Sequence, residues 1–373
     1  MIVVVADDLS GAAELAGIAA NAGLLAEVVT WPVGEVFEER QECHPSLLAV
    51  DGDTRGMREV DAVVRMREIG AWVRERQPEW VFKKVDSVLR GHVRAEGEAL
   101  RSALELDQVL LVPANPSKGR VIQGGRYWVN EVLLEETVFA NDPDFPRCSS
   151  AVDELVGTVP VTWTMPDVES MAEVERLAGA MDRRTTLAVG AADFFEALLG
   201  GIRQSGEEPK GGCERAHLTP ALSSRQEGDV PAVRGQPVRL FLCGSAAAWP
   251  GREGEARKNR VWVSVSDDDV FGEADQMVLM GLGAMRIADV PSGELTKRLA
   301  ARARAWMSMH PEGGVIFAEG GATGAALARR CGWGRFRVES GAPVGIAKLS
   351  PMDEPRWTMW LKPGSYPWPF EVG

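Results

Sequence analysis

The chain has 373 residues, 45% of them hydrophobic and 25% charged, with a formal net charge of −13. That length exceeds what one hydrophobic core usually serves, so two domains are expected, with the composition of an ordinary globular protein. An acidic surface repels phosphate backbones at long range and argues against a nucleic-acid partner, whereas helix N-termini and local basic residues still suit a small anion in a cleft.

Cys43, Cys148, Cys213, Cys243 and Cys331 are scattered without a CxxC pair, and the four histidines are dispersed. Neither a disulfide framework nor a transition-metal centre is expected, and a reducing compartment fits best. The opening run from Met1 to Ala6 has no basic flank and meets Asp7-Asp8, unlike a secretory signal. No stretch approaches the roughly 20 apolar residues that span a bilayer. The expectation is a soluble, cytoplasmic chain with no membrane partner; homo-oligomerisation stays open.

In chain order, Ile2 to Val5 reads as a strand buried on both faces, and an Ala-rich helix follows from Ser10 to Ala22, stopped by Gly23. Leu47 to Val50 is the next buried strand. Val63, Met66, Ile69 and Val73 then recur at helical spacing before Pro78. Trp80 to Val85 is a strand, Val93 to Leu104 a helix and Val109 to Val112 a strand. This rhythm predicts an α/β chain whose N-terminal domain is a doubly wound, mostly parallel sheet. A helix from Met171 to Met181 with Ser170 as N-cap, a strand at Thr185 to Val189 and a helix starting at Phe194 complete the first unit.

Periodicity is lost from about Gly200 to Gln236, which predicts a linker or mobile loop over 201–236 between domains at 1–200 and 237–373. The second, smaller α/β unit has strands at Val238 to Leu242, Val261 to Val265 and Gly314 to Ala318. It also has helices from Ser292 to Met309 and up to Arg330, then short β-type segments up to Leu361.

Ligands of open parallel sheets sit beyond the carboxyl ends of the strands. The first strand delivers Asp7 and Asp8 where a Rossmann turn would place glycines, so this turn suits hydroxyl recognition, metal binding or proton abstraction better than a pyrophosphate. One carboxylate is expected to cap the following helix and the other to act. The third strand delivers Lys83, Lys84, Asp86, Ser87 and Arg90, where basic groups can clamp a carboxylate. By strand alternation Lys83 points opposite to Lys84 and is the one most readily taken as solvated. The fourth delivers Asn115 and Arg120 on a loop stiffened by Pro113 and Pro116, which taken alone reads as a surface turn. In the second unit, Gly320-Gly321 between strand and helix offers close backbone approach and free amides, with Thr323 as hydroxyl or cap. Gly244-Ser245 and Gly364-Ser365 repeat the pairing of small residues with hydroxyls. Trp357, Trp360 and Trp368 read more readily as core than as a base-stacking surface.

The order of three motifs, Ala6-Asp7-Asp8-Leu9-Ser10-Gly11-Ala12, Lys84-Val85-Asp86-Ser87-Val88-Leu89-Arg90-Gly91 and Pro113-Ala114-Asn115-Pro116-Ser117-Lys118-Gly119-Arg120, resembles the N-terminal half of the four-carbon acid sugar kinase family. Members typically show ADDLTGA, K-x-DSTLRG and P-A-x-P-x-x-GR in this order. The resemblance implies ATP-dependent phosphorylation, with magnesium carried as Mg-ATP, of a hydroxyl on a tetronate or oxo-tetronate, the acid held by the N-terminal domain and ATP by the C-terminal one. It implies Asp8 and Arg90 as catalytic residues, and Asp7, Asp53, Arg55, Lys84, Asp86, Ser87, Asn115 and Arg120 around the acid. Ser245, Gly320, Gly321, Ala322, Thr323 and Gly364 would hold the nucleotide; no metal ligand is assigned. In the expected reaction Arg90 and Lys84 clamp the substrate carboxylate while Asp8 orients or deprotonates the hydroxyl.

The C-terminal half departs from the family pattern. Gly244-Ser245-Ala246-Ala247 stands for Gly-Ser-Cys-Ser, Ala322 for an acidic residue, and Tyr366-Pro367 for an aromatic-Gly pair. Two rival expectations follow: a sugar-acid sensor that has lost phosphotransfer, and an acid-activating ligase on the same cleft.

Overall fold

The computed structural model describes residues 1–34, 44–142, 145–205, 237–244, 249–259, 261–264, 277–281, 292–343, 345–364 and 368. Strand β1 (Ile2–Ala6) is buried along its whole length, as a β-branched run covered on both faces requires. Helix α1 (Leu9–Asn21) leads to β2 (Ala26–Thr30), β3 (Leu47–Asp51) and α2 (Glu59–Glu75). Then come β4 (Trp80–Lys84), α3 (Val93–Ala103), β5 (Gln108–Val112), and the short strands β6 (Arg120–Gln123), β7 (Arg126–Val129) and β8 (Val132–Leu133). The first half closes with α4 (Val152–Val156), β9 (Trp163–Thr164), α5 (Met171–Ala180), β10 (Thr186–Gly190) and α6 (Ala192–Ser205). Ser170 caps α5 in a full capping box with Glu173.

The second half holds β11 (Val238–Cys243), α7 (Trp249–Lys258), β12 (Trp262–Ser264), β13 (Met277–Gly281) and α8 (Ser292–Ser308). It continues with β14 (Gly314–Glu319), α9 (Gly321–Cys331), β15 (Arg335–Glu339), β16 (Ala347–Pro351) and β17 (Trp357–Lys362).

Fourteen strands form one sheet in the order β12-β13-β11-β14-β17-β16-β15-β2-β3-β1-β4-β10-β5-β9, while β6, β7 and β8 form a separate three-stranded antiparallel sheet. Both flanks of the large sheet are parallel, and the ribbon β15–β16 joins them through antiparallel pairs with β2 and β17. The chain moves one way from β1 to β2 and the other way from β3 to β4, so right-handed crossovers put α1 and α2 on opposite faces. Accordingly α2 packs on α3, and α1 packs on α6 and α9. The doubly wound α/β expectation holds, and its two halves share one sheet.

Several elements differ from the sequence reading. Strand β2 escapes it because Glu27 interrupts the apolar run; Glu27 is buried because Arg335 on β15 pairs with it at 2.6 Å. Strand β13 and the β6–β8 sheet were not anticipated either. Helix α6 continues to Ser205, past the expected start of the linker, and residues 206–236 lie outside the described ones. Trp357 is a core residue packed near Trp306, while Trp360 and Trp368 lie near Phe317.

Lys83 is not solvated. Its side chain is fully buried and its Nζ lies 2.8 Å from Glu96 Oε2 on α3, where strand alternation turns it into the interior. Removing one partner of such a pair leaves a buried charge uncompensated, at a cost of about 3–5 kcal/mol, whereas an apolar pair of similar volume is tolerated. Glu96→Ala is therefore expected to lower stability by about that much in urea unfolding, and the double change Lys83→Met with Glu96→Leu to recover most of it.

Candidate functional site

Strands β1, β3 and β4 run parallel in register, with Ala6 opposite both Asp51 and Lys84. The residues that follow, Asp7-Asp8, Gly52-Asp53 and Val85-Asp86, therefore emerge together at one sheet edge. Two adjacent carboxylates there need a cation, and Arg55 supplies it. Its Nε and Nη2 donate to the two oxygens of Asp7 at 2.7 and 2.9 Å, and its Nη1 donates to Asp8 Oδ2 at 2.9 Å. The same Nη1 lies 3.9 Å from Asp86 Oδ1. Backbone bonds from Thr54 and Arg55 to the Asp7 carbonyl, at 2.9 and 3.2 Å, hold the arginine in place. Burial pushes the Asp7 carboxyl up, but Arg55 and Lys83 together hold it below the usual range.

The turn after β4 is built around Asp86. Its Oδ2 accepts from the amides of Val88 and Arg90 at 3.1 and 3.2 Å and from Arg90 Nε at 3.0 Å, and its Oδ1 accepts from Arg90 Nη2 at 2.8 Å. Leu89 and Gly91 take φ +62° and +83°, so the turn reverses the chain within a few residues. The remaining Arg90 nitrogen, Nη1, donates to Asp142 Oδ2 at 3.0 Å. Burial opposes ionisation of Asp86, yet Arg90 and Arg55 hold its carboxyl far below the carboxylate range; Arg90 in turn is raised, mainly by Asp86 working against burial. Ser87 Oγ accepts from Arg120 Nη1, and the Ser87 carbonyl accepts from the Tyr127 hydroxyl.

Asp8 is the cap, of the two carboxylates that the sequence reading divided between capping and acting. Its Oδ1 accepts from the Gly11 amide at 2.8 Å, capping α1, and its Oδ2 accepts from Ser10 Oγ at 2.6 Å. Asp7 is locked by Arg55. From the other half, Gly320 (φ +101°) bends the chain from β14 into α9, whose first residue, Gly321, abuts Asp8. A Cβ at Gly321 would fall 2.5 Å from Asp8 Oδ2 and 2.7 Å from Ser10 Oγ, so only glycine allows this approach. The Gly320 amide donates to the Lys362 carbonyl at 2.9 Å, and a Cβ at Gly364 would lie 4.0 Å from Gly320 Cα. Ala322 is exposed and Thr323 buried against Gly244. Ser245 lies outside the described residues.

Asp7, Asp8, Arg55, Asp86 and Arg90 thus form one chain of alternating charge, with Ser87 and Arg120 beside it. Three other expected site residues face elsewhere. Lys84 Nζ donates to the Val85 carbonyl at 2.9 Å and lies 3.5 Å from the buried Glu14. Asp53 is engaged by Arg329 of α9. Asn115 Oδ1 accepts from the Asp193 amide at 2.9 Å and so fixes the start of α6.

The sequence reading missed a buried cluster below the glycine turn. Glu319 and Lys362 are register partners on β14 and β17 and pair at 2.8 Å, and Arg252 Nε donates to Glu319 at 3.1 Å. Only strand pairing reveals it, although Glu319 stands immediately before the glycine pair. Asp142 lies in the Asn141-to-Pro146 segment, whose prolines mark it as rigid without indicating a purpose, and Arg147, just after it, was not singled out. Among the described residues no group of three or more His, Cys, Asp or Glu side chains is arranged to hold a metal, and no helix is long and apolar enough to cross a membrane.

Because the folded state depresses Asp86, its stabilisation is complete above the unfolded value of about 3.9 and is lost as pH falls through the folded value. Asp86→Asn should destabilise the chain by about 3–5 kcal/mol at pH 7 in urea unfolding. That gap is expected to narrow below about pH 4, and a gap independent of pH would contradict the assignment.

Residues 2–159 match the model of a sugar-binding N-terminal domain. A D-threonate kinase of Bordetella bronchiseptica is 26% identical over 363 residues, covering 92% of this chain and 89% of that protein. A D-erythronate kinase of Heliobacterium modesticaldum is 28% identical over 156 residues, 42% of this chain and 35% of that protein. In fold, the chain is similar to the Haemophilus influenzae protein HI1011, with a TM-score of 0.64 at 17% identity over 98% of this chain and 97% of that one. The matched domain and the relatives agree with the three motifs and support the four-carbon acid sugar kinase family, while the likeness to HI1011 extends the fold alone over the whole length.

Proposed function

We propose that the chain is an ATP-dependent kinase that phosphorylates a hydroxyl of a four-carbon sugar acid, a tetronate or oxo-tetronate, where its two halves meet. Residues 1–200 hold the acid and residues 237–373 the nucleotide. The observation that carries this reading is the approach of Asp8 to Gly321: a carboxylate suited to a hydroxyl stands against the free amides of a helix start suited to phosphate. Phosphoryl transfer depends on positioning and charge stabilisation more than on covalent chemistry, and this juxtaposition supplies the positioning.

In the proposed reaction the acceptor hydroxyl donates to Asp8, which Arg55, Ser10 and the Gly11 amide hold in one orientation. As the hydroxyl oxygen attacks the terminal phosphorus of ATP, its proton passes to Asp8 and ADP leaves. The amides at Gly321 and Ala322 stabilise charge on the transferred group, and magnesium arrives on the phosphates of ATP.

One observation favours the sensor as a second reading. Lys362, beside the glycine turn, is fully buried and bound by Glu319, and Ala322 contributes no carboxylate, so this turn offers a nucleotide little charge of its own. Calorimetry with ATP and with tetronates separates the readings: acid binding without nucleotide binding means a sensor.

The direct experiment incubates the protein with Mg-ATP and a panel of tetronates and oxo-tetronates and measures ADP and the phosphorylated acid. ADP formation that depends on one acid is expected; AMP would instead indicate a ligase. Asp8→Asn should lower turnover by about 10²–10⁴ with far-UV circular dichroism unchanged, and near-normal turnover would remove Asp8 from the mechanism.

A further inference from the structure

An acid substrate needs a cation that is not already paired. Around the Asp86 turn most are paired: Arg55 with Asp7 and Asp8, Arg90 with Asp86 and Asp142, Lys84 with Glu14 and Lys83 with Glu96. Two differ. Arg120 donates to the Ser87 hydroxyl and lies 5.7 Å from the Phe139 ring. Arg147 donates only to carbonyls, from Nη1 to Leu89 at 2.9 Å and from Nε to Phe145 at 3.1 Å. Among the described residues neither forms an ion pair. Both are anchored to the same places: Ser87 and Leu89 belong to one turn, and the Arg147 amide donates at 2.9 Å to the carbonyl of the Phe139 that faces Arg120.

We propose that Arg147, together with Arg120, binds the carboxylate of the sugar acid, and that Arg90 and Lys84 are structural. This deepens the kinase reading and rests on it for the substrate class. Arg147 is half-buried, and burial, with the charge of Arg90, pulls its guanidinium below the ordinary arginine value although Asp86 and Asp142 act against that shift. A substrate carboxylate supplies the missing partner, through a charge-assisted fork that lysine cannot reproduce. The site is then polar end to end: Asp7 and Asp8 share one arginine at the end that receives the hydroxyl, and two arginines that form no ion pair among the described residues stand at the end that receives the acid. A hydroxy acid enters such a site in one orientation.

The test compares a tetronate with the matching tetronamide, a neutral isostere, by calorimetry on wild type, Arg147→Gln, Arg147→Lys and Arg90→Lys. Wild type should prefer the acid by roughly ten- to a hundredfold, the range of a charge-assisted hydrogen bond. Arg147→Gln should abolish most of that preference, Arg147→Lys should keep part of it, and Arg90→Lys should leave it within about threefold. A Gln variant that retains the preference overturns the proposal, as does one that weakens acid and amide equally, because loop collapse moves both alike. If Arg147→Gln does not fold, Arg147→Lys decides: an undiminished preference overturns the assignment and a partial one supports it. A wild type that binds tetronates without forming ADP sinks the kinase reading and leaves this comparison valid.

Discussion

Two carboxylates side by side at the end of a buried strand repel one another and lose their hydration, and the site exists because Arg55 answers both. Its guanidinium takes Asp7 in a two-pronged bond, reaches Asp8 with a third donor and approaches Asp86. Without it, burial would favour protonation of Asp7 and leave Asp8 held only by Ser10 and the Gly11 amide. With it, the ends of β1, β3 and β4 become one polar unit, and Arg90 extends that unit to the loop carrying Asp142. Arg55 and Arg90 each bind two carboxylates of the unit, which is how a fold keeps charged groups in place near a sheet edge.

The second constraint is the join between the halves. A continuous sheet carries the glycine turn of α9 to the start of α1, and Glu27–Arg335 and Asp53–Arg329 fasten the two flanks. Asp53, expected to touch the acid, ties the loop after β3 to Arg329 of α9, a contact that sequence spacing does not suggest. The Glu319–Lys362–Arg252 cluster places the turn on a rigid, fully paired base. A buried triad of this kind gives little net stability, but it fixes geometry.

The parallel strands were legible wherever a run was apolar throughout, as at Ile2–Ala6, Trp80–Lys84 and Gly314–Glu319. β2 was not, because its Glu27 becomes tolerable only through a partner more than 300 residues away. The site was legible as far as strand ends determine it: Asp7, Asp8, Asp86 and Arg90 follow directly from where β1 and β4 stop. What a cation pairs with was not legible. Lys84 lies on the correct strand but turns to Glu14, and Arg147 is held to the Asp86 turn through the Leu89 carbonyl, which sequence spacing does not reveal.

The central claim is that the acid-side carboxylate and the glycine turn meet at one point where transfer takes place. Replacing Gly321 with alanine probes that point alone, since the added methyl would sit 2.5 Å from Asp8 Oδ2. The account predicts a protein that binds the sugar acid within about threefold of wild type while turnover falls at least about a hundredfold, the effect of displacing a reacting group by about 1 Å. Turnover equal to wild type in that variant would contradict it.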